Sequence, residues 1–353
     1  MRRALTLLVA LSLLGRPIGA FAATGTALSG SGSTASGATY RVRNEAWTYL
    51  TLPEWSIVYS ADEYAAFLRE HRPSAFPYHA AKQEYLRTYA AVLKAIEGRH
   101  EYDSGAKLML LVIGVSFTAE NALKGLYENS IGLLSEWHAG DTITEEDRFM
   151  QATAEEYGRF VHTTPWYEFP FLAKLKELWT GTSWWDAAPV RKWERKFALT
   201  LEYGAKAAYG WLIGLGTATV YDPAELTIDY TITGLTPEEA AAVPGLQAIR
   251  PAASGALVVT GPRYEAFTQT TLAFARRGAE FVDIAGNDEI LVTALAPTAW
   301  EADLEGATEL FRFERVTDPA RSRVALRTEV RRLGSVIRAL EAQGITVEHV
   351  YDY

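Results

Sequence analysis

The spacing of apolar residues changes once along this 353-residue chain, close to residue 222. Before that point, apolar side chains recur every three or four residues, which places them on one face of a helix. After it, short segments such as 226–232 alternate between apolar and polar residues, as half-buried strands do. Of the ten tryptophans, only Trp300 follows the change. We therefore predict two domains: an aromatic-rich helical bundle over residues 40–221 and an α/β domain over residues 222–353.

Helix-forming patterns fill most of the first domain, and glycine or proline residues separate them. A short helix is predicted from Asp62, as the capping residue, to residue 71, because Pro73 prevents its continuation. Thr144 is predicted to cap a helix that opens with acidic residues. The four longer predicted helices span about 78–97, 107–137, 144–161 and 192–219.

Two of these helices combine a long uncharged run, 108–119 or 207–221, with charged residues spaced four apart. The charged residues are Glu120, Lys124, Glu128, Glu202 and Lys206. We favour an interpretation in which both helices lie inside a soluble bundle, with buried apolar ends and solvated charged turns. The alternative is a helical hairpin that dips into a membrane. Both runs are shorter than the about 20 residues that a membrane span needs.

In the second domain, strand and helix patterns follow the order β-α-β-β…β-α-β, which is the order of a ferredoxin-like sandwich. Gly278 and Gly344 each end a predicted helix just before a strand, and they lie 66 residues apart, so the domain repeats its plan. Gly286-Asn287-Asp288 predicts a tight hairpin between strands over 281–284 and 290–295.

Composition excludes several classes of function. The chain has no cysteine and a net charge of −9, so it can form neither disulfides nor thiolate metal sites, and it lacks the basic surface that nucleic acids require. The common phosphate-binding, dinucleotide-binding, zincin and nucleophile-elbow motifs are absent from the sequence. Glu97 and His100 have the spacing of a di-iron ligand pair, but the required second pair is missing. We therefore predict no cofactor, no metal and no nucleic-acid partner.

The first residues resemble a bacterial secretory signal. Arg2 and Arg3 precede an apolar stretch, and Ala20 and Ala22 form the small-residue pattern of a cleavage site. Residues 23–39 are rich in glycine, serine and threonine, which is typical of a flexible linker. We predict a signal peptide over 1–22 that is cleaved after Ala22, and an exported protein that is periplasmic or membrane-associated.

Segment 47–59 places aromatic residues around Glu54, and segment 162–170 places aromatic residues beside His162 and Glu168. Aromatic rings next to a pair of carboxylates can hold a sugar ring and cleave its glycosidic bond. The same aromatic residues also serve structural roles in helical bundles. If the protein is an enzyme, the predicted catalytic residues are Glu54, His162 and Glu168. The predicted ligand-binding residues are Trp55, Glu120, Glu128, Trp166 and Tyr167. We expect the loop 162–170 to form a wall of the main pocket.

Several strings of the sequence resemble those of a family of uncharacterised bacterial exported or membrane-anchored proteins. They are Leu52-Pro-Glu-Trp55, Ile113-Gly-Val-Ser-Phe117, Thr164-Pro-Trp-Tyr-Glu-Phe-Pro170, Arg191-Lys-Trp-Glu-Arg195, Ala285-Gly-Asn-Asp-Glu-Ile-Leu291 and Val350-Tyr-Asp-Tyr353. The resemblance implies export and a single unit made of both halves, and it implies no activity.

Two hypotheses for the function follow. The first is an envelope protein that binds a small molecule, an envelope ligand or a partner through its helical domain and makes peripheral contact with a membrane. The second is an envelope hydrolase that acts on glycans, which requires two of the predicted catalytic groups to converge across one cleft. A binding protein needs only an aromatic-lined pocket. The sequence leaves the oligomeric state open.

Overall fold

The computed structural model describes six stretches of the chain, and contacts among them form two compact units. The described residues are 31–33, 39–41, 43–100, 104–217, 226–252 and 255–352. The predicted signal peptide lies outside them, as does the predicted linker apart from 31–33 and 39. Among the described residues, 54–86 and 108–217 form the first unit and the others form the second. Residues 43–53 and 87–100, which the sequence analysis assigned to the helical domain, therefore belong to the second unit.

The first unit is built from helices. They are α2 (Leu52–Phe67), α3 (Tyr78–Ile96), α4 (Ser104–Tyr127), α5 (Leu133–Ala139), α6 (Glu145–Val161), α7 (Phe171–Gly181) and α8 (Pro189–Thr217), of which α2, α3 and α4 extend into the second unit. A π-helical turn, Glu128–Gly132, joins α4 to α5, and short 3-10 turns occur at Pro73–Ala75 and Trp166–Glu168. The helices predicted over 78–97 and 144–161 are confirmed. The one predicted over 107–137 is interrupted by the π turn, and the one predicted over 192–219 is confirmed as far as Thr217, where the described segment ends.

Local sequence explains how two of these helices begin. The Thr144 hydroxyl accepts a hydrogen bond from the Asp147 backbone N–H, and the Asp147 side chain accepts one from the Thr144 N–H, so α6 starts with a complete capping box. The prediction that Asp62 caps a short helix is wrong, because α2 already begins at Leu52 and Asp62 lies within it. Pro53 is compatible with that start because the first turn of a helix leaves its N–H groups unpaired.

The second unit contains most of the strands. Its elements are β1 (Ser31–Ser33), β2 (Thr39–Arg41), α1 (Trp47–Leu50), β3 (Thr227–Thr233), α9 (Pro237–Ala241), β4 (Ala248–Pro251), β5 (Leu257–Pro262), α10 (Glu265–Arg276), β6 (Glu280–Ile284), β7 (Glu289–Pro297), β8 (Ala307–Glu314), β9 (Arg321–Glu329), α11 (Leu333–Ala342) and β10 (Thr346–Val350). β1 pairs with β2, and the other strands form two four-stranded sheets.

The two larger sheets share one topology. Their strand orders are β4-β5-β3-β6 and β10-β7-β9-β8, and all neighbouring strands are antiparallel. If the strands of each sheet are numbered 1 to 4 along the chain, both orders read 4-1-3-2. Gly278 and Gly344, both with positive φ, end α10 and α11 just before the last strand of each sheet. The repeated plan that these glycines predicted is confirmed. Because the strands are antiparallel, the protein is a mixed α+β structure rather than α/β.

The predicted hairpin at residues 286–288 is wrong. β6 pairs with β3, whereas β7 pairs with β9 and β10, so the two strands belong to different sheets. Ala285 and Gly286 both have positive φ and turn the chain from one sheet into the next. Helices α10 and α11 pack against each other, and each contacts strands of both sheets. One hydrophobic core therefore runs through the whole repeated region.

Candidate functional site

Helix α8 turns its charged residues into the first unit. The side chains of Arg191, Lys192, Arg195 and Lys196 are almost completely buried. Arg195 makes a bidentate ion pair with Glu128, with Nη1–Oε1 and Nη2–Oε2 distances of 2.9 and 3.1 Å. Burial of charge at this density is tolerated only where each ion is paired and hydrogen-bonded.

The other three cations of this cluster are equally well satisfied. Arg191 Nη2 lies 2.7 Å from Asp147 Oδ1, and Lys192 Nζ lies 3.0 Å from Glu146 Oε1. Lys196 donates to the carbonyl of Ser183 at 3.0 Å. Its ammonium group is also surrounded by the rings of Trp179, Trp184 and Trp193, whose centroids lie 5.4 to 5.6 Å away. This cluster ties α8 to the π turn through Glu128, to α5 through Glu136 and to α6 through Glu146 and Asp147.

A second set of charges forms a ladder between α4 and α8. Lys206 Nζ lies 2.8 Å from Glu120 Oε1 and 3.4 Å from Glu202 Oε1. Lys124 Nζ lies 2.9 Å from the same Glu202 oxygen. Two cations thus share one carboxylate, and the four groups together carry no net charge. The ion pairs that the sequence analysis expected to face solvent instead lie between the helices.

The pKa values follow from this arrangement. Burial by itself raises the pKa of Glu202, but Lys124 and Lys206 outweigh it and lower the pKa to about 2. For Lys124, burial lowers the pKa, while Glu202 raises it, and the net shift is upward. The pKa of Lys206 is raised well above its usual range, because Glu120 and Glu202 outweigh its burial. All three groups are therefore charged at neutral pH.

The ladder borders a cavity of about 110 Å³ in the first unit. Helices α2, α4, α6 and α8 all contribute to its wall, in which seven of the eighteen lining residues are aromatic. Its aromatic lining residues are Tyr64, Phe76, Tyr78, Phe117, Tyr157, Phe171 and Tyr203. Lys124 Nζ lies 4.4 Å above the ring of Tyr64, and Lys206 Nζ lies 5.2 Å above that of Tyr157. Asn121 adds an amide to the polar side of the cavity. The cavity can therefore hold a small polar molecule against aromatic faces.

The outer faces of the same helices are apolar. Between residues 111 and 137, all of which the structure describes, the one charged residue with an exposed position is Glu120, and it is paired with Lys206. Trp137 is 82% exposed and Leu126 is 71% exposed. The other large exposed apolar residues of α4, the π turn and α5 are Leu111, Val115, Leu123, Ile131, Leu133 and Leu134.

Helix α8 has the same reversed polarity. Its exposed large apolar residues are Val190, Phe197, Leu201, Trp211 and Leu212. At 100° per residue, positions 197, 201, 211 and 212 all fall within about 60° of position 190 around the helix, so these residues share one face, opposite the charged residues that point inward. The expectation that the charged turns are solvated is therefore wrong for Lys124, Glu202 and Lys206. The apolar runs are buried only in part, at Leu110, Ile113 and Ile213. No helix among the residues that the structure describes is both long and apolar enough to cross a membrane.

The three predicted catalytic residues lie outside the cavity wall. One carboxylate oxygen of Glu54 is buried and has no hydrogen-bond partner among the described residues, and burial raises the pKa of this group to about 8. His162 Nε2 lies 2.6 Å from Asp62 Oδ2, and its ring meets Trp55 edge-on at 5.9 Å. Glu168 is exposed on a 3-10 turn. That these three side chains converge on one cleft stays a prediction.

The predicted ligand-binding residues are divided among several roles. Glu120 lines the cavity, whereas Glu128 is held by Arg195. Trp55 is buried, and its ring lies 5.9 Å from that of Tyr59.

The loop that carries Trp166 and Tyr167 packs against α8. The Trp166 ring lies 5.5 Å from that of Tyr209. The Tyr167 carbonyl lies so close to Gly210 that a side chain there would need the loop to move. No residue of 162–170 is among those that line the cavity.

Several cavity residues were missed by the sequence analysis as site residues. Lys124, Glu202 and Lys206 were identified only as helix-stabilising charges. Their position beside long uncharged runs was the sequence feature that could have identified them, because charged residues next to such a run need ion-pair partners when the helix packs.

One cluster in the second unit could hold a metal ion. Glu45, His100 and Glu289 each offer a ligand atom, and these atoms lie within 4.8 Å of one another. Comparisons with protein-family models, with curated proteins and with solved structures find no match to this chain.

Proposed function

We propose that this is a membrane-associated protein of the cell envelope, whose helical unit binds a lipid bilayer through the outer faces of α4, α5 and α8. The observation that carries this proposal is the reversed polarity of these helices. Their charged residues pair with one another inside the unit, and their exposed residues are apolar. An exposed apolar surface of this extent is unusual unless it meets a membrane or a partner.

Three features favour lipid as the occupant of this surface. The apolar residues run from Leu111 to Trp137, about 39 Å of helix at 1.5 Å per residue, which is long compared with a local docking patch. The exposed tryptophans Trp137 and Trp211 are of the type that prefers the boundary between acyl chains and headgroups. The chain is also predicted to be exported. Since no described helix can cross a bilayer, we propose that the unit lies within one leaflet.

The test is flotation of the protein with vesicles of phosphatidylcholine, a lipid without net charge. The chain is expressed without residues 1–22, so that a retained signal cannot act as the anchor. We expect binding that persists in high salt, because burial of apolar surface drives it rather than charge. Leu126→Gln together with Trp137→Gln should weaken it at least tenfold. Leu226→Gln is the control, since Leu226 is 67% exposed in the second unit.

Two results would contradict the proposal. The first is an absence of flotation. The second is a dimer that forms in the absence of lipid and dissociates in the double variant, because a second copy of the chain would then be what covers the apolar surface.

The cavity supports a second function, the binding of a small ligand. Its aromatic wall and its ladder of two cations and two anions suit a neutral polar or zwitterionic molecule, such as a polyol, a sugar or an amino acid. We propose a screen of these three classes by thermal shift, followed by calorimetry. Glu202→Gln should abolish binding of the hit, whereas Glu168→Gln should leave it unchanged. Equal binding by both variants would place the ligand elsewhere.

A hydrolase that uses Glu54, His162 and Glu168 remains the alternative. It predicts that glycan cleavage is lost in Glu54→Gln and in Glu168→Gln while both variants stay folded. The predicted signal peptide is tested separately by N-terminal sequencing of exported protein. A sequence that begins at Ala23 supports cleavage, and an intact Met1 in the membrane fraction would make the segment an anchor.

For the fold, we infer that α2, α4, α6 and α8 form a helical bundle around the cavity. We also infer that the second unit holds two ferredoxin-like halves rather than the single one predicted. The first half has the order β-α-β-β-α-β, from β3 to β6. The second half has the same strand order without the first helix. An experimental structure with another strand order would overturn this inference.

A further inference from the structure

We propose that Glu45, His100 and Glu289 form a binding site for a divalent transition-metal ion in the second unit. They come from three separate segments: the residues before α1, the turn after α3, and the start of β7. One ligand atom of each lies within 4.8 Å of the other two. The sequence analysis predicted no metal, because it considered His100 only together with Glu97.

His100 supplies an observation that points to a ligand. Its Nε2 atom is buried and makes no hydrogen bond with any residue that the structure describes. A buried imidazole nitrogen without a partner costs free energy. Its ring is held in place by Tyr49, whose centroid lies 5.5 Å away. The ring therefore carries a buried nitrogen that no described residue satisfies and that a metal ion could coordinate.

The two carboxylates are also oriented by neighbouring groups. Glu45 Oε1 accepts hydrogen bonds from the backbone N–H groups of Asp288 and Glu289, at 2.9 and 2.6 Å. Its other oxygen makes none among the described residues. The Tyr49 hydroxyl donates to Glu289 Oε2 at 3.2 Å. Such supporting contacts are typical of metal sites, where they orient the ligands and tune their basicity.

The donor set determines the class of metal. One imidazole nitrogen and two carboxylate oxygens suit Zn²⁺, Mn²⁺ or Co²⁺, whereas Mg²⁺ and Ca²⁺ prefer oxygen alone. Bonds of about 2.0–2.2 Å around Zn²⁺ place ligand atoms roughly 3.4 Å apart. The three ligand atoms, which now lie within 4.8 Å of one another, would have to close to that spacing around a bound ion. Water can occupy the remaining coordination positions.

Arg99 competes with a metal for Glu289. Its Nη2 atom lies 2.7 and 2.8 Å from the two oxygens of that carboxylate. The Arg99 side chain is 41% exposed, so it can swing into solvent when a metal binds. Because of this competition, removal of Arg99 should strengthen metal binding. If the Arg99–Glu289 ion pair is purely structural, no metal should bind at all.

The test is calorimetric titration of the chelator-treated full chain with Zn²⁺, with Mg²⁺ titrated in parallel. We expect one Zn²⁺ per chain and much weaker binding of Mg²⁺. His100→Ala and Glu45→Gln should each weaken Zn²⁺ binding by about 100-fold. Loss of a supporting contact already lowers metal affinity by up to about 100-fold, and loss of a direct ligand should lower it at least as much. Arg99→Gln should strengthen it several-fold.

His138→Ala is the matched control, because His138 is an exposed histidine of the first unit and its loss should leave the titration unchanged. If His100→Ala does not fold, Glu45→Gln and Arg99→Gln decide the question. Absence of Zn²⁺ binding by the unmodified chain, or unchanged binding in Glu45→Gln, would overturn the proposal. Weaker binding in Arg99→Gln would also count against it.

Discussion

The substitution Glu202→Gln tests the charge ladder most directly. Glu202 is the one carboxylate that pairs with both Lys124 and Lys206. Glutamine keeps the size of the side chain and removes its charge. The two lysines then remain between α4 and α8, and only Lys206 keeps a carboxylate partner, Glu120. The unit should therefore lose stability without losing shape.

The size of the effect follows from the pKa of Glu202. The group titrates near 4.5 when exposed and at about 2 in the folded protein, where burial raises its pKa but the two lysines lower it further. Each unit of pKa corresponds to about 1.4 kcal/mol, so the ionised form adds roughly 3 kcal/mol to the free energy of unfolding. Because the folded pKa is the lower one, this contribution is complete above about pH 4.5 and is lost as the pH falls towards about 2.

Urea unfolding followed by tryptophan fluorescence measures the change. Of the ten tryptophans, Trp47 and Trp300 lie in the second unit and the others in the first, so the signal reports mainly on the helical unit. Glu202→Gln should cost about 3 kcal/mol near neutral pH, and the difference from the unmodified protein should shrink below about pH 4.5. Glu168→Gln, at an exposed position, should change stability by less than about 0.5 kcal/mol. A difference that stays constant down to about pH 2 would refute the reasoning.

Four further substitutions test other features by the same unfolding assay. Burial raises the pKa of Glu54 to about 8. The unmodified protein should therefore lose stability as the pH rises from about 4.5 to 8, and Glu54→Gln should lack that loss. Identical pH profiles of stability for the two proteins would contradict this. Gly114→Ala places a methyl group against the ring of Tyr85 and should cost about 1–3 kcal/mol. Gly204→Ala places its methyl group in open space within a helix and should instead stabilise the protein by up to about 1 kcal/mol. Equal changes in stability for the two glycine variants would show that packing against Tyr85 is not the cause. Thr144→Ala removes the cap of α6 and should cost about 1 kcal/mol; an unchanged urea midpoint would show that the capping box contributes little.

Features that depend on neighbouring residues were predictable from the sequence. The cap at Thr144 and the helix ends at Gly278 and Gly344 are local: each requires a particular residue within one turn of the chain. The strand that follows each of these glycines was correctly predicted for the same reason. The fold class was only partly predictable, because strand pairing joins distant segments. Nothing near Gly286 indicates that β6 pairs with β3, whose Tyr230 lies opposite Ile284.

The polarity of the site was not predictable by the same means. The spacing of charges on α8 shows that Glu202 and Lys206 share a face, but periodicity does not say whether that face points inward. The usual assumption that charged residues meet water gave the wrong answer. Glu120 was predicted as a ligand-binding residue and does line the cavity. The cavity itself needs four helices to come together, and no local pattern encodes that.

The π-helical turn between α4 and α5 has a consequence for how this surface tolerates changes in length. A π turn contains one residue more than the α-helical turn it replaces. Deletion of one residue here, such as Ser130, would restore a regular α-helical turn and leave α5 close to its present orientation. Deletion of a residue within α4 would instead rotate everything after it by about 100°. Trp137 would then leave the apolar face, and Glu136 would turn away from its hydrogen bond with Ser74. The π turn is thus the place along these helices where the loss of one residue should change the exposed apolar face least.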